Sequence, residues 1–278
     1  MTENKLSSKE EIVERTLDGL DALRDSIEEG LVISNTMRKE GEARKDLSLL
    51  AYANIVDAFA DYFENRLPEA LEKFESLIQF FSTNLDSYGA FFSKTGLVIG
   101  LRKKGEVVKA RSFCENELIP KCGAIHGRLL VLALNIYAIL LQECDETEKA
   151  IRFFFRALDE SKKINSTSRV AQITANLGEV LYVTGNVEAA EELLQEARDL
   201  APMSAEKWLT PFSSTMLALC KISLGKFDDA YEAIACYVEE QNGANSHTNT
   251  YRSFYLAVAA YTLAMRGDFE QEIGRAHV

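Results

Sequence analysis

The 278-residue sequence predicts an all-α fold, a superhelical solenoid of antiparallel helix pairs. Three observations predict it. A small residue recurs every 40 positions, a turn-forming residue stands five positions before it, and apolar residues within the segments are spaced by three and four. Spacing of three and four, as at Ile151, Phe154, Phe155 and Leu158, places apolar side chains on one face of a helix. No segment alternates with period two, so we expect no sheet.

The small residues mark the second helix of each pair. They are Gly30, Ala70, Ala110, Ala150, Ala190 and Ala230. We expect each to lie where the second helix crosses the first, because only a hydrogen or a methyl group fits a close helix crossing. An apolar residue follows four positions later in five of the six copies, and Ser34 is the exception. It would fill the same seam one turn along the helix.

Turn-forming residues separate the two helices of each pair. They are Asp25, Asn65, Gly105, Asp145, Gly185 and Gly225. Each would end the first helix and let the chain reverse. A partial sixth repeat begins near Ser253, and its turn would lie at Gly267.

The clearest copy of the repeat covers residues 171–204. Its landmarks are Leu177, Gly178, Leu181, Gly185, Val187, Ala190, Leu194, Ala197 and Pro202. These spacings resemble the tetratricopeptide (TPR) family, although Leu181 and Val187 replace aromatic residues and Thr174 stands where Trp is common. The period of 40 exceeds the usual 34, as in long-repeat TPR arrays of bacterial regulators. The resulting repeat signature comprises Ala70, Ala110, Ala150, Leu177, Gly178, Gly185, Ala190, Ala197, Pro202, Gly225 and Ala230.

The chain is expected to have three parts. Residues 1–45 form N-terminal helices, either a cap or a degenerate repeat, and residues 46–271 form the TPR-like array with an incomplete last repeat. Residues 272–278 read EIGRAHV, which resembles a translated sequencing adapter, so we expect the natural sequence to differ from Glu272 onward. An array cut inside a helix pair exposes an apolar face, which predicts self-association through the C-terminal end.

Composition excludes several partners. The chain holds 43 acidic and 31 basic residues, a net charge of -12. Such a chain is repelled by phosphate backbones and anionic lipids, so we expect neither nucleic acid nor membrane partners. The five cysteines, none in a C-x-x-C pair, are interpreted as reduced thiols of a cytoplasmic protein. They are Cys114, Cys122, Cys144, Cys220 and Cys236.

No catalytic motif is present, which favours a segment that is not an enzyme and holds no cofactor or metal. His126 and His247 have no Cys, Glu or Asp at ligand spacing. Asp228 and Asp229 open the second helix of their repeat, where carboxylates offset the helix dipole, and this interpretation is preferred over a metal site.

The first helix of each pair would line the concave face of the solenoid. Its inward-facing residues are Tyr52, Phe59, Phe63, Phe92, Asn135, Gln172, Glu179, Tyr182, Phe212 and Tyr261. Two interpretations stay open: these aromatic residues are core, or they form a groove for a peptide or an amphipathic segment. TPR arrays that bind the C-terminal carboxylate of heat-shock chaperones use Lys, Arg and Asn on this face. Only Asn135 fits that pattern, so that ligand is disfavoured.

The resemblance implies a protein- or peptide-binding scaffold, the N-terminal regulatory region of a longer bacterial signalling protein. Two alternatives stay open. The chain is a truncated fragment of a signalling enzyme, such as a GGDEF diguanylate cyclase or a histidine kinase, whose catalytic domain is missing, or it is a peptide-sensing transcriptional regulator.

Overall fold

The structure, a computed structural model, describes residues 8–204, 208–241 and 249–267. All regular secondary structure in these residues is helical, which confirms the all-α prediction. The α-helices are α1 (Ser8–Asp25), α2 (Ile27–Arg44), α3 (Leu47–Phe63), α4 (Leu67–Thr83), α5 (Ser87–Lys103), α6 (Val107–Glu117), α7 (Gly127–Glu143), α8 (Thr147–Lys163), α9 (Thr167–Val183), α10 (Val187–Leu200), α11 (Leu209–Ser223), α12 (Phe227–Gln241) and α13 (Asn249–Arg266). Short 3-10 segments follow α6 (Ile119–Ala124) and α10 (Ala201–Met203).

Two compact units make up the chain, Met1–Glu160 (unit 1) and Ser161–Val278 (unit 2). The predicted tail and His247 lie outside the described residues, so the predicted self-association at the C-terminal end stays a prediction. None of the described helices combines the length and the hydropathy that a membrane span requires.

One turn geometry recurs at intervals of 20 or 40 residues and fixes where many of the helices end. The residue at the turn is left-handed in each case, at Lys45, Asn65, Leu85, Gly105, Asp145, Asn165, Gly185 and Gly225. The next amide reaches back five residues, as when the N–H of Arg66 donates to the carbonyl of Asp61 at 2.8 Å. This is the Schellman motif, which satisfies carbonyls at a helix C-terminus. The 40-residue repeat therefore contains two helix–turn segments, and α3, α4, α5, α7, α8 and α9 are each 17 residues long.

Several helices begin directly after these turns at a side-chain cap. Asp46 accepts from the backbone N–H of Leu49 at 3.0 Å, and Asp86 accepts from that of Gly89 at 2.9 Å. Each carboxylate satisfies an amide that has no partner within the helix. The cap and the turn together fix where each helix starts.

In unit 1 the helices alternate between two layers. The odd-numbered helices α3, α5 and α7 contact one another in order, and α4 and α6 pack between successive members from the other side. Ala70, Ala110 and Ala150 are fully buried. Phe74 of α4 packs so closely on Gly96 of α5 that a Cβ there would lie 2.3 Å from the Phe74 ring.

Unit 2 repeats this arrangement. Helices α9, α11 and α13 contact one another in order, and α10 and α12 lie between them on the other side. Ala190, Leu194 and Ala230 are fully buried in one hydrophobic cluster. A Cβ at Gly178 of α9 would lie 2.6 Å from Cγ of Leu194, so the two helices can approach this closely only with glycine there.

Candidate partner-binding faces

The predicted concave-face residues fall on the odd-numbered helices of two separate units. We call the face carrying Tyr52, Phe59, Phe63, Phe92 and Asn135 the inner face of unit 1. The face carrying Gln172, Glu179, Tyr182, Phe212 and Tyr261 is the inner face of unit 2.

On the inner face of unit 1, the predicted contact residues are buried. Tyr52, Phe59 and Phe92 are 0%, 1% and 0% exposed, and Asn135 is 6% exposed. Their assignment to a partner-binding surface is therefore wrong, and the core interpretation holds for them. Phe63, near the end of α3, is half-buried.

Packing against α4 and α5 accounts for much of this burial. The Tyr52 ring lies 4.9 Å from that of Phe81, and the Phe59 ring lies 4.9 Å from that of Phe74.

Helix α1 also packs on α3. Its residues Val13, Leu17 and Leu20 are buried. Gly19 of α1 lies against α3, because a Cβ at Gly19 would be 2.9 Å from Cγ2 of Val56. The absence of a side chain at Gly19 allows the two helices this close approach.

Two charged contacts tie α1 to the starts of α5 and α7. The Lys9 ammonium lies 3.0 Å from a carboxylate oxygen of Asp86, the N-cap of α5. Arg128, the second residue of α7, donates from Nη1 to Glu14 at 3.0 Å and to Asp18 at 2.6 Å, and from Nη2 to Asp21 at 2.5 Å. Burial alone would lower the pKa of Arg128, but the carboxylates of Asp18 and Asp21 raise it by more. The pKa is therefore higher than usual, and the guanidinium stays charged.

Tyr52 joins the same network beneath α1. Its hydroxyl donates to Asp86 at 3.2 Å. Burial, together with the negative charge of Asp86, raises the pKa of Tyr52, so this hydroxyl remains a donor at physiological pH. Asp86 thus links α3, the start of α5 and α1.

The inner face of unit 2 is accessible. Gln172, Glu179, Tyr182 and Phe212 are half-buried, and Tyr261 is 50% exposed. Trp208 and Leu219, which the sequence analysis did not select, are partly buried against the hydrophobic clusters of unit 2, and Phe254 and Met265 of α13 are each 41% exposed. Sequence periodicity places Phe254, Tyr261 and Met265 on one face of α13.

Polarity changes across the inner face of unit 2. Helix α9 contributes an amide and a carboxylate, and Arg169 positions the amide by donating to Gln172 Oε1 at 3.0 Å. Helix α11 and its N-cap residue Trp208 contribute aromatic surface, where the rings of Trp208 and Phe212 lie 5.6 Å apart edge to face. Helix α13 adds Tyr261 and its apolar neighbours. A partner on this face would meet polar groups on one helix and apolar surface on the next two.

The remaining candidate groups, two aspartates and a cysteine, lie at a helix start or in the core. Asp228 and Asp229 lie in the first turn of α12, and Arg266 Nε is 3.0 Å from Asp228. Burial raises the pKa of the Cys220 thiol to about 12. Within the described ranges, no group of three or more His, Cys, Asp and Glu residues is placed to hold a metal ion.

Comparison with known proteins identifies the class. No family model matches the sequence, and no curated protein matches it either. The apo form of RapI aligns with a TM-score of 0.65 at 12% identity, covering 94% of this chain and 73% of RapI. The chain therefore has a TPR-like repeat fold, as the sequence resemblance implied.

Two further structures share this fold. A Rap protein complexed with Competence and Sporulation Factor aligns with a TM-score of 0.61 at 14% identity, covering 99% of this chain and 86% of that protein. BtubC (BKLC) from P. vanneervenii aligns with a TM-score of 0.62 at 17% identity, covering 82% of this chain and 94% of that protein. At sequence identities of 12% to 17%, the structural similarity to these three proteins shows a shared fold.

Proposed function

We propose that the chain is a protein- or peptide-binding scaffold whose binding surface is the inner face of unit 2. The observation that carries this proposal is that Tyr261 is 50% exposed and Phe212 is half-buried, whereas Phe59 and Tyr52 at the matching positions of unit 1 are buried. Aromatic side chains that combine apolar surface with a polar group contribute strongly to binding. The similar Rap structure, which contains a bound factor, supports the use of this fold for binding.

The expected ligand matches the change in polarity. Polar or cationic groups of the ligand would lie on α9, near Gln172 and Glu179, and apolar side chains would lie on α11 and α13. An amphipathic segment binds a groove by placing its apolar side chains against the apolar surface of the groove. We therefore propose a protein segment with one polar and one apolar half.

The wider role we propose is a non-enzymatic, cytoplasmic regulatory region at the N-terminus of a longer bacterial signalling protein. The resemblance to long-repeat TPR regulators supports it. Sequencing the gene beyond the codon for Gln271 is the direct test: an output domain in the same reading frame is expected, and a stop codon there would contradict this role.

Selection from a displayed peptide library against the full chain tests the binding surface. Peptides enriched on the wild-type chain should lose at least about tenfold in affinity for a Phe212→Ala, Tyr261→Ala variant, which corresponds to about 1.4 kcal/mol. Val108→Ala is the matched control, because Val108 is an exposed apolar residue on α6 of unit 1. Equal affinity for the variant and the wild-type chain would contradict the proposed surface.

A further inference from the structure

Unit 1 carries a groove that the proposed function does not use. This groove, which we call the outer groove, lies along α4 over the first half of α3 and encloses about 670 Å³. Its floor is apolar and consists of Leu47, Leu50, Ala51, Leu77 and Phe80. Leu47 is 66% exposed and Phe80 is half-buried, so part of this apolar surface faces solvent.

The outer groove lies on the side of α3 opposite to α1. Asn54 lines the groove, and Val56, two residues later, contacts α1 at Gly19. Two residues of an α-helix are rotated by about 200°, so these two side chains point in nearly opposite directions. Helix α2 stands beside the groove, because Nη2 of Arg38 donates to Oδ1 of Asn54 at 2.9 Å. The outer groove is therefore separate from the inner face of unit 1.

The rim of the outer groove is acidic. Glu69 and Glu72 are exposed, stand one turn apart on α4 and both line the groove. Neither carboxylate has an ion-pair partner in the part of the chain that the structure describes. Lys73, the neighbouring cation, lies 2.5 Å from a carboxylate oxygen of Asp61 and is neutralised there. The two carboxylates thus leave a charge of −2 beside an apolar floor.

The length of the outer groove fits a helix. From Glu69 to Phe80, its wall on α4 runs for about 17 Å, or three helical turns. An amphipathic helix lying along α4 would place apolar side chains at i, i+4 and i+7 on the floor. The residues beside this row would face the two carboxylates. Because groups of opposite charge across an interface select the correct partner, these residues should be cationic.

We propose that the outer groove of unit 1 binds an amphipathic helix of a partner protein. The helix carries an apolar i, i+4, i+7 row, which packs on the floor around Leu50, Leu77 and Phe80. It carries Lys or Arg beside that row, which pair with Glu69 and Glu72. The proposal does not depend on the surface proposed for unit 2.

The first experiment measures binding of a designed helix to the full chain carrying Phe212→Ala and Tyr261→Ala, so that the inner face of unit 2 does not contribute. The probes are two fluorescent helical peptides of about 14 residues, or four turns, each with leucine at i, i+4 and i+7. One carries lysine beside the leucine row and the other carries glutamate at the same positions. Fluorescence anisotropy should show saturable binding of the lysine peptide, at least about tenfold tighter than that of the glutamate peptide. Absence of saturable binding of the lysine peptide would overturn the proposal.

Charge reversal on α4 locates the bound peptide. Glu69→Lys should weaken binding of the lysine peptide by at least about fivefold. Adding Glu72→Lys should reverse the preference in favour of the glutamate peptide. The matched control is Glu75→Lys, which makes the same charge change at an exposed position of α4 but lies outside the outer groove. Equal effects of Glu69→Lys and Glu75→Lys would show general attraction to an acidic chain and would overturn the proposal.

The apolar floor is tested at its most exposed residue, where substitution leaves the core intact. Leu47→Ser should weaken binding of the lysine peptide by at least about threefold, because it removes apolar contact area. Leu85→Ser is the control, since Leu85 is 90% exposed at a turn outside the outer groove. Equal affinity of the Leu47→Ser chain and its parent would count against the proposed floor. Sedimentation should show a monomer, and a dimer that Glu69→Lys dissociates would make a second copy the occupant and overturn the proposal.

Discussion

Phe59 and Tyr261 occupy the same place in the repeat, six residues before the turns at Asn65 and Gly267, yet they differ in exposure. Phe59 of unit 1 is 1% exposed, whereas Tyr261 of unit 2 is 50% exposed. Tyr52 and Phe212 differ in the same direction, thirteen residues before their turns. The place of an aromatic residue in the repeat therefore does not determine whether its side chain is buried or exposed. Packing against neighbouring helices decides it, since the Phe59 ring contacts Phe74 of α4 and Phe92 of α5.

The largest expected difference between the two faces comes from truncating this matched pair. Phe59→Ala should destabilise the chain by about 3–5 kcal/mol, because it leaves a cavity among Phe74, Phe92 and their neighbours. Tyr261→Ala should change stability by no more than about 0.5 kcal/mol, as for other surface substitutions. Urea and thermal unfolding measure both. Comparable losses would show that the two inner faces do not differ in coverage.

Overpacking the seam between helix layers should affect both units alike, since this seam does not involve the inner face. Ala70→Phe and Ala190→Phe each place a ring at a fully buried position and should cost about 1–3 kcal/mol. Glu192→Phe, at an exposed position of α10, serves as the control. Thermal melts in which only one of the two alanine variants is destabilised would contradict a common seam.

Two buried threonines offer a smaller comparison between the units. The hydroxyl of Thr95 in α5 donates to the carbonyl of Phe91 at 2.9 Å, whereas the hydroxyl of Thr174 in α9 has no partner among the described residues. Thr174→Val should therefore stabilise the chain by about 1 kcal/mol, because it removes an unsatisfied polar group. Thr95→Val should bring no such gain. A melting temperature lowered by Thr174→Val would indicate that its hydroxyl is satisfied.

The smallest effects are expected at the turns. Leu85 in unit 1 has φ of 56° and is 90% exposed, so its side chain adds strain without packing. Leu85→Gly should raise stability by about 0.5–1 kcal/mol, because glycine adopts this region without steric cost. Gly185→Leu at the equivalent turn of unit 2 should lower it by a similar amount. Chemical denaturation of the two variants should therefore give midpoints shifted in opposite directions.

The sequence predicted the helix pairs because their constraints are local. A buried small residue at Ala190 and a left-handed turn at Gly185 each restrict the residue type at one position. Three further turns were missed because Lys45, Leu85 and Asn165 adopt the same left-handed geometry without being glycine. At these positions the hydrogen bonds of the turn outweigh the preference of the residue.

The candidate site was predicted only in part, because coverage of a face depends on contacts between distant residues. Arg128 and Glu14 are 114 positions apart, and no repeat pattern links them. The sequence signal within residues 13–21 is an apolar stripe of Val13, Leu17 and Leu20, which predicts a packed helix but does not identify Arg128 as a partner of its carboxylates. The division at residue 45, with α1 and α2 as a cap or a degenerate repeat, stays a prediction.

The recurring turn also constrains how such a gene can grow. Because the same hydrogen bonds follow helices of both layers, gain or loss of a single helix with its turn would leave every turn intact. It would nevertheless move all later helices to the opposite layer, and Gly178 would no longer meet Leu194. Only duplication or deletion of 40-residue segments preserves both turn and packing. Unequal recombination between copies therefore lengthens or shortens the array by whole helix pairs. Each event adds or removes one helix of the inner face.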